Sequence, residues 1–111
     1  MNKTFLIGRL TKDPETTYIQ SDKSSKAKTT FTLAVKRSYA NANGIIETDF
    51  IPVVLWNNVA ELVGNHCGKG HKILVEGHMQ VRSYDDKDGQ KRFITEVIGE
   101  RIEYIQKPFD E

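Results

Sequence analysis

The stretch from Thr48 to Leu62, Thr-Asp-Phe-Ile-Pro-Val-Val-Leu-Trp followed by Asn-Asn-Val-Ala-Glu-Leu, constrains the fold more than any other. Its first half alternates as a strand does: Ile51, Val53 and Leu55 are aliphatic, and Phe50, Pro52, Val54 and Trp56 occupy the other parity. The odd positions make an ordinary core face. The even positions carry two aromatics, one of them the only tryptophan of the chain, where a half-buried sheet normally shows polar residues. Such a face needs a flat apolar cover. Pro52 has no amide proton to give a ladder, so a free stretch of edge or a bulge is expected beside it. Asn58 and Glu61 then stand at capping-box spacing, which predicts a strand running directly into a short helix.

The remaining pattern fills in around this stretch. A first strand is read from about Lys3 to Leu10, with Phe5 and Ile7 on one face, Leu6 on the other and a bend at Gly8. Pro14 marks a turn, Tyr18 and Ile19 resume a short strand, and Gln20 to Lys28 reads as a polar loop with three lysines. A second strand runs from about Lys28 to Tyr39, with Phe31, Leu33 and Val35 inward, and Asn43-Gly44 signals the turn that leads back into the opening stretch. The helix is expected from about Asn58 to Cys67, burying Val59, Leu62 and Val63 and ending at Gly68 and Gly70. A fourth strand from about His71 to Tyr84 turns Ile73, Val75, Gly77, Met79 and Val81 inward, and a fifth from about Lys91 to Ile105 bends at Gly99. Three strands, a helix and a long hairpin give an all-β fold with one short helix. That is the order of the OB-fold, a five-stranded Greek-key barrel with its helix between the third and fourth strands, whose ligand surface is the face of strands two and three.

Length and charge set the outer bounds. A chain of 111 residues is large enough for a single core, here residues 1–105 with a short tail at 106–111. No apolar run is long enough to span a membrane, and the N-terminal residues lack a signal-peptide core, so a cytoplasmic protein is expected. The single Cys67 leaves no internal disulfide. A formal charge of +1 conceals a gradient, net +5 over residues 1–46 and net −4 over residues 47–111, so a local basic patch for a polyanion is compatible with a near-neutral total.

Outward aromatics recur on the predicted ligand surface: Tyr39 closing strand two, Phe50 and Trp56 on strand three, and Tyr84 entering the hairpin. Cations accompany them in Lys36, Arg37, Arg82, Lys87, Lys91 and Arg92. Unpaired nucleic acid needs flat apolar platforms for bases and cations for phosphates, and each stacked base is worth about 1–3 kcal/mol. The competing reading makes these aromatics core or subunit-interface residues. Enzymatic readings lack a constellation. Cys67 with His66, His71 and His78 has no zinc spacing, and Asp85, Asp86 and Asp88 do not match a calcium loop, because Tyr84 stands where its first ligand belongs. No P-loop or nucleophile elbow is present, so no metal, cofactor or catalytic residue is expected.

Taken together, Asn-Lys-Thr-Phe-Leu-Ile-Gly-Arg-Leu with Lys-Asp-Pro-Glu-Thr-Thr-Tyr18, Phe-Thr-Leu-Ala-Val through Ser-Tyr39, Thr-Asp-Phe-Ile-Pro-Val-Val-Leu-Trp56, Ala60-Glu61-Leu62, Lys69-Gly70, Val75-Glu76-Gly77, Arg82-Ser83-Tyr84 and Thr95-Glu96-Val97 resemble the bacterial and phage single-stranded DNA-binding proteins over about residues 2–105. The resemblance implies base stacking on the residues matching Tyr39, Phe50, Trp56 and Tyr84, sequence-independent coating of single strands in replication, recombination or repair, and assembly into homotetramers, with a dimer as the alternative. Residue Ile51 matches a position near subunit contacts that is often polar. Family members recruit partners through an acidic tail ending in Pro-Phe; Pro108-Phe109-Asp110-Glu111 lacks the spacer and reverses that order, which puts such recruitment in doubt. A replication-restart OB protein or an OB protein-interaction module remains the alternative. The first would be expected to carry a more basic hairpin than Asp85-Asp-Lys-Asp-Gly.

Overall fold

The computed structural model describes residues 1–21 and 24–108. Its elements are β1 (Thr4–Leu10), β2 (Glu15–Gln20), β3 (Ser25–Lys36), β4 (Thr48–Trp56), α1 (Asn57–His66), β5 (Lys72–Asp85) and β6 (Lys91–Gln106). They form one sheet in the order β1-β5-β6-β4-β3-β2, with β1 also pairing to β3. That last pairing closes β1, β5, β6, β4 and β3 into a barrel, and β2 extends it from the edge of β3. The architecture is the expected OB-fold, with the predicted Tyr18–Ile19 fragment lengthened into a full strand.

Closure depends on glycine at Gly8. β1 pairs with β5 from Thr4↔Gly77 to Arg9↔Lys72 and with β3 through Arg9↔Ala34 and Leu10↔Leu33. To serve both, its backbone crosses so close to β3 that a Cβ on Gly8 would lie 2.4 Å from the Ala34 carbonyl oxygen. Gly99 allows the second bend, in β6, where a Cβ would stand 2.3 Å from Leu55 Cδ2. The ladder to β5 shifts register beside it, between Glu76 and Gly77.

Inside the barrel, Leu10, Leu33, Leu55, Ile73 and Val75 are buried together, and α1 adds Ala60 and Val63 to the same core. The buried Thr29 hydroxyl donates to the Ala60 carbonyl at 2.7 Å and accepts from Thr16 at 2.8 Å, tying the β2–β3 hairpin to the helix. Each such bond contributes about 1 kcal/mol net. Removing Thr29 would leave its partners buried without it. Pro52 sits where expected: β4 meets β6 only from Val53 to Leu55, so the ladder begins just after the residue that cannot donate.

Several local expectations are corrected. The Asn58–Glu61 capping box does not form, and the helix start has no side-chain cap. The reason is the absence of a spacer: β4 runs into α1 through Asn57 at φ 61°, a left-handed conformation that asparagine tolerates, and the chain turns before Asn58 can cap. Leu62 is 46% exposed, since so short a helix buries only the stripe through Ala60 and Val63. The region read as a polar loop is partly strand, because Lys26, Ala27, Lys28 and Thr29 continue the alternation of β3. At its other end β3 stops at Lys36, leaving Tyr39 in the connection to β4 rather than on the sheet. Met79 and Val81, expected inward, are 50% and 61% exposed, because β5 and β6 outrun the barrel as a two-stranded arm. β6 takes in Gln106, so the tail begins at Lys107, and the expectation for Phe109–Glu111 lies outside the described residues. No helix among the described residues is long and apolar enough to cross a membrane.

Candidate nucleic-acid interface

The β3–β4 register arranges one side of the sheet in rows: Trp56 beside Lys28, Val54 beside Thr30, Pro52 beside Thr32, Phe50 beside Ala34 and Thr48 beside Lys36. Paired residues share a face. Trp56 and Phe50 therefore stand on the same face, six residues apart along β4, about 20 Å at roughly 3.3 Å per residue. Phe50 is 65% exposed, while Trp56 is half-buried. The Lys28 ammonium lies over the Trp56 ring, 5.4 Å from its centroid, within cation–π reach. Ile19 and Lys26, neighbours across the β2–β3 ladder, line a shallow depression of about 380 Å³ beside Trp56.

Between this face and the β5–β6 arm runs an open groove of about 590 Å³, whose lining includes Lys12, Thr32, Phe50, Pro52, Arg82 and Ile94. Arg82 pairs with Ile94 and Tyr84 with Arg92, so all four lie on the groove side of the arm, and Tyr84 prolongs its wall toward the tip. Lys91 pairs with Asp85 in register with Ser83 and Phe93, which puts it on the reverse side. Lys87 lies in the tip itself, where Asp86 Oδ1 accepts from the backbone amides of Asp88 and Gln90. Tyr39, 66% exposed, projects from the long β3–β4 loop, folded by Asn41 Oδ1 accepting from the amides of Asn43 and Ile45 and by Gly44 at φ 76°.

The arginines differ from the lysines. Arg37 grips Asp49 through Nε and Nη2, at 3.1 and 3.0 Å, and reaches Glu47 at 2.7 Å. These bonds push the guanidinium up and hold the Asp49 carboxyl below its ordinary value. Arg92 binds Asp86 at 2.8 Å, and that bond, helped by the tip amides, holds the Asp86 carboxyl down. Arg82 binds Glu96, a carboxylate only 7% exposed, at 3.0 Å. Its charge is thus largely answered within the groove. Among the described residues Lys12, Lys26, Lys28, Lys36, Lys87 and Lys91 form no ion pair.

Six of the ten residues expected from sequence fall on this side of the molecule: Phe50 and Arg82 line the groove, Tyr84 and Arg92 continue its wall, and Trp56 and Lys36 stand at opposite ends of the β3–β4 face that borders it. Tyr39, Lys87 and Lys91 sit on the periphery, and Arg37 is bound to the Asp49 side of its strand end. Lys26 and Lys28 were missed. Their signal was the even parity they share with Thr30 and Thr32, hidden by reading the segment as a loop. Away from this face, Cys67 is buried and burial pushes its thiol up, and no group of three or more His, Cys, Asp or Glu among the described residues could hold a metal.

A half-buried ring and an exposed ring on one face, a groove between that face and the arm, and ammoniums free of ion pairs are together suited to stacking flat bases and neutralising phosphates. Comparison with known proteins leads the same way. A chain of Clostridium acetobutylicum described as single-stranded DNA-binding protein 2 is 48% identical over 106 residues, covering 96% of this chain and 77% of its own length. Single-stranded DNA-binding protein 1 of the same organism is 43% identical, with 96% and 94% covered. Single-stranded DNA-binding protein 2 of Staphylococcus aureus is 44% identical, with 96% and 73% covered. The model of the single-strand binding protein family matches residues 1–105, and the chain belongs to that family.

Proposed function

We propose that this protein binds single-stranded DNA with little sequence preference and without bond-making chemistry, stacking bases on Trp56, Phe50, Tyr84 and Tyr39. The observation that carries the reading is the shared face of Trp56 and Phe50, which borders an open groove and is supplied with lysines free of ion pairs. Every base has a flat face, so such a platform tolerates any sequence. Phosphate contacts come first from Lys36, Lys28 and Lys26, with Lys87 and Lys91 at the arm, because Arg37, Arg82 and Arg92 already answer carboxylates. Coating of this kind serves replication, recombination and repair in the bacterial or phage-infected cytoplasm.

The same reading includes a homo-oligomer, a tetramer in preference to a dimer. Its support is the exposed apolar surface away from the groove, where Phe5 and Ile7 of β1 are 62% and 48% exposed. Light scattering on the purified chain tests this, and a monomer at working concentration would overturn it.

The binding test follows Trp56 fluorescence while oligo(dT) is titrated at low and moderate salt. Saturable quenching that weakens with salt is expected. Unchanged emission, or duplex binding as tight as oligo(dT) binding, would overturn the reading in favour of a protein-docking face.

A further inference from the structure

The arm leaves the barrel at a point where its ribbon is easily bent. β1 accompanies β5 only as far as Thr4↔Gly77, and beyond that pair β5 and β6 run on without it. Gly77 stands opposite Gly99, so neither strand has a side chain there to hold the other, and the ladder shifts register between Glu76 and Gly77. Such a bulge bends and twists a ribbon locally. The angle between arm and barrel is therefore set at this root. With it is set the width of the groove, whose walls are Phe50 and Pro52 on the barrel and Arg82 and Ile94 on the arm.

Asn2 reaches across this root. Its Nδ2 donates to the Met79 carbonyl at 2.6 Å, and its Oδ1 accepts from the Met79 amide at 3.0 Å. In an antiparallel strand the amide and carbonyl of one residue point the same way, and a primary amide offers the matching acceptor and donor. Asn2 lies opposite Met79 when the β1–β5 register is carried on past Thr4↔Gly77. Its side chain thus does what one more backbone pair of β1 would do. The neighbouring Lys3 ammonium joins Glu76 on β5, at 3.0 Å, to Glu100 on β6, at 3.8 Å. That bridge is exposed and contributes little by itself. The amide clasp is the directional contact.

We infer that Asn2 is a positioning residue for DNA binding: it carries the third strand past the root of the arm and holds Arg82, Ile94 and Tyr84 opposed to the Phe50 face. It acts through Met79 and not on the strand. An arm released from the clasp samples other angles, and affinity falls with the fraction of arms held in the binding position. This rests on the single-strand reading above and adds to it an uncharged residue whose effect belongs to the shape of the groove.

The test compares the unmodified protein with Asn2→Leu, a side chain of similar size that neither donates nor accepts. Amide hydrogen exchange at Met79 should quicken while the denaturant midpoint stays where it was. Binding of oligo(dT) of about 16 nucleotides, followed by Trp56 quenching, is expected to weaken about fivefold, the worth of a single net hydrogen bond, with its salt slope unchanged. In a Tyr84→Ala background, where a contact on the arm is already gone, Asn2→Leu should cost no more than about twofold, whereas in a Lys36→Gln background it should again cost about fivefold. Equal losses in the two backgrounds would mark a general effect on the fold and overturn the inference. Undiminished binding by Asn2→Leu would overturn it too, as would unchanged exchange at Met79. Failure of the unmodified protein to bind oligo(dT) would instead bring down the single-strand reading itself, and this inference with it.

Discussion

Strands β5 and β6 behave as two different structures along their own length. In the barrel half Ile73 and Val75 are fully buried and Val97 is 4% exposed, while in the arm Met79, Val81 and Phe93 are 50%, 61% and 69% exposed. The alternation of side chains is the same in both halves. What changes is the layer behind them: the barrel half faces α1 and the other strands, while the arm is met by Asn2 at the Met79 backbone and otherwise borders the open groove through Arg82 and Ile94. A two-stranded ribbon is marginal by itself, so the arm borrows its order from the barrel. Stability should therefore reside in one half and ligand contact in the other.

The largest effect that could break this division concerns the core. Leu55→Ala, at a fully buried position against Gly99, should cost about 2–5 kcal/mol in denaturant unfolding, whereas Phe93→Ala on the arm should stay within about 0.5 kcal/mol. A comparable loss at Phe93 would mean the arm is packed against a layer this monomer does not supply. Next come the stacking residues, measured by oligo(dT) affinity. Trp56→Ala should lose toward the upper end of about 1–3 kcal/mol and Tyr84→Ala toward the lower, with the unfolding midpoint unmoved only for Tyr84. Equal losses would erase the distinction between barrel and arm as binding surfaces.

Charge distinguishes the two regions more gently. Lys36→Gln should lower the salt slope of binding by about 0.7, while Arg37→Gln should leave it unchanged, because Arg37 is already spoken for by Asp49 and Glu47. The smallest effect lies at the arm tip. The Asp86 carboxyl is held below its ordinary value by Arg92, so its contribution to tip order is complete above the unfolded aspartate value and fades as pH falls through the folded one. A carbon-detected titration should place its midpoint below that of an ordinary aspartate, and Arg92→Gln should move it back up.

Much of this was readable from residues alone, for identifiable reasons. Phe31, Leu33, Val53, Leu55, Ile73 and Val75 recur at every second position of their strands, and their burial followed from that period. Trp56 and Phe50 announced themselves by occupying the parity that a half-exposed sheet reserves for polar residues. Met79 and Val81 misled because alternation reports the parity of a strand and not the distance over which a partner layer accompanies it. Lys28 was hidden for the opposite reason: a lysine-rich segment looks like a loop until its register against Trp56 is known. The commitments of Arg37, Arg82 and Arg92 were also invisible, since each acid partner is reached across a strand pair or turn rather than along a helix face.

The pairing of β1 with β5 also bears on how the chain acquires its shape. Thr4 must find Gly77 and Arg9 must find Lys72, contacts separated by most of the sequence, and the barrel cannot close until they do. Topologies dominated by such distant contacts fold slowly, in milliseconds to seconds for small β-rich domains. During synthesis β1 leaves the ribosome well before its partner β5, and until β5 emerges the apolar side chains of Phe5, Leu6 and Ile7 wait on an open edge.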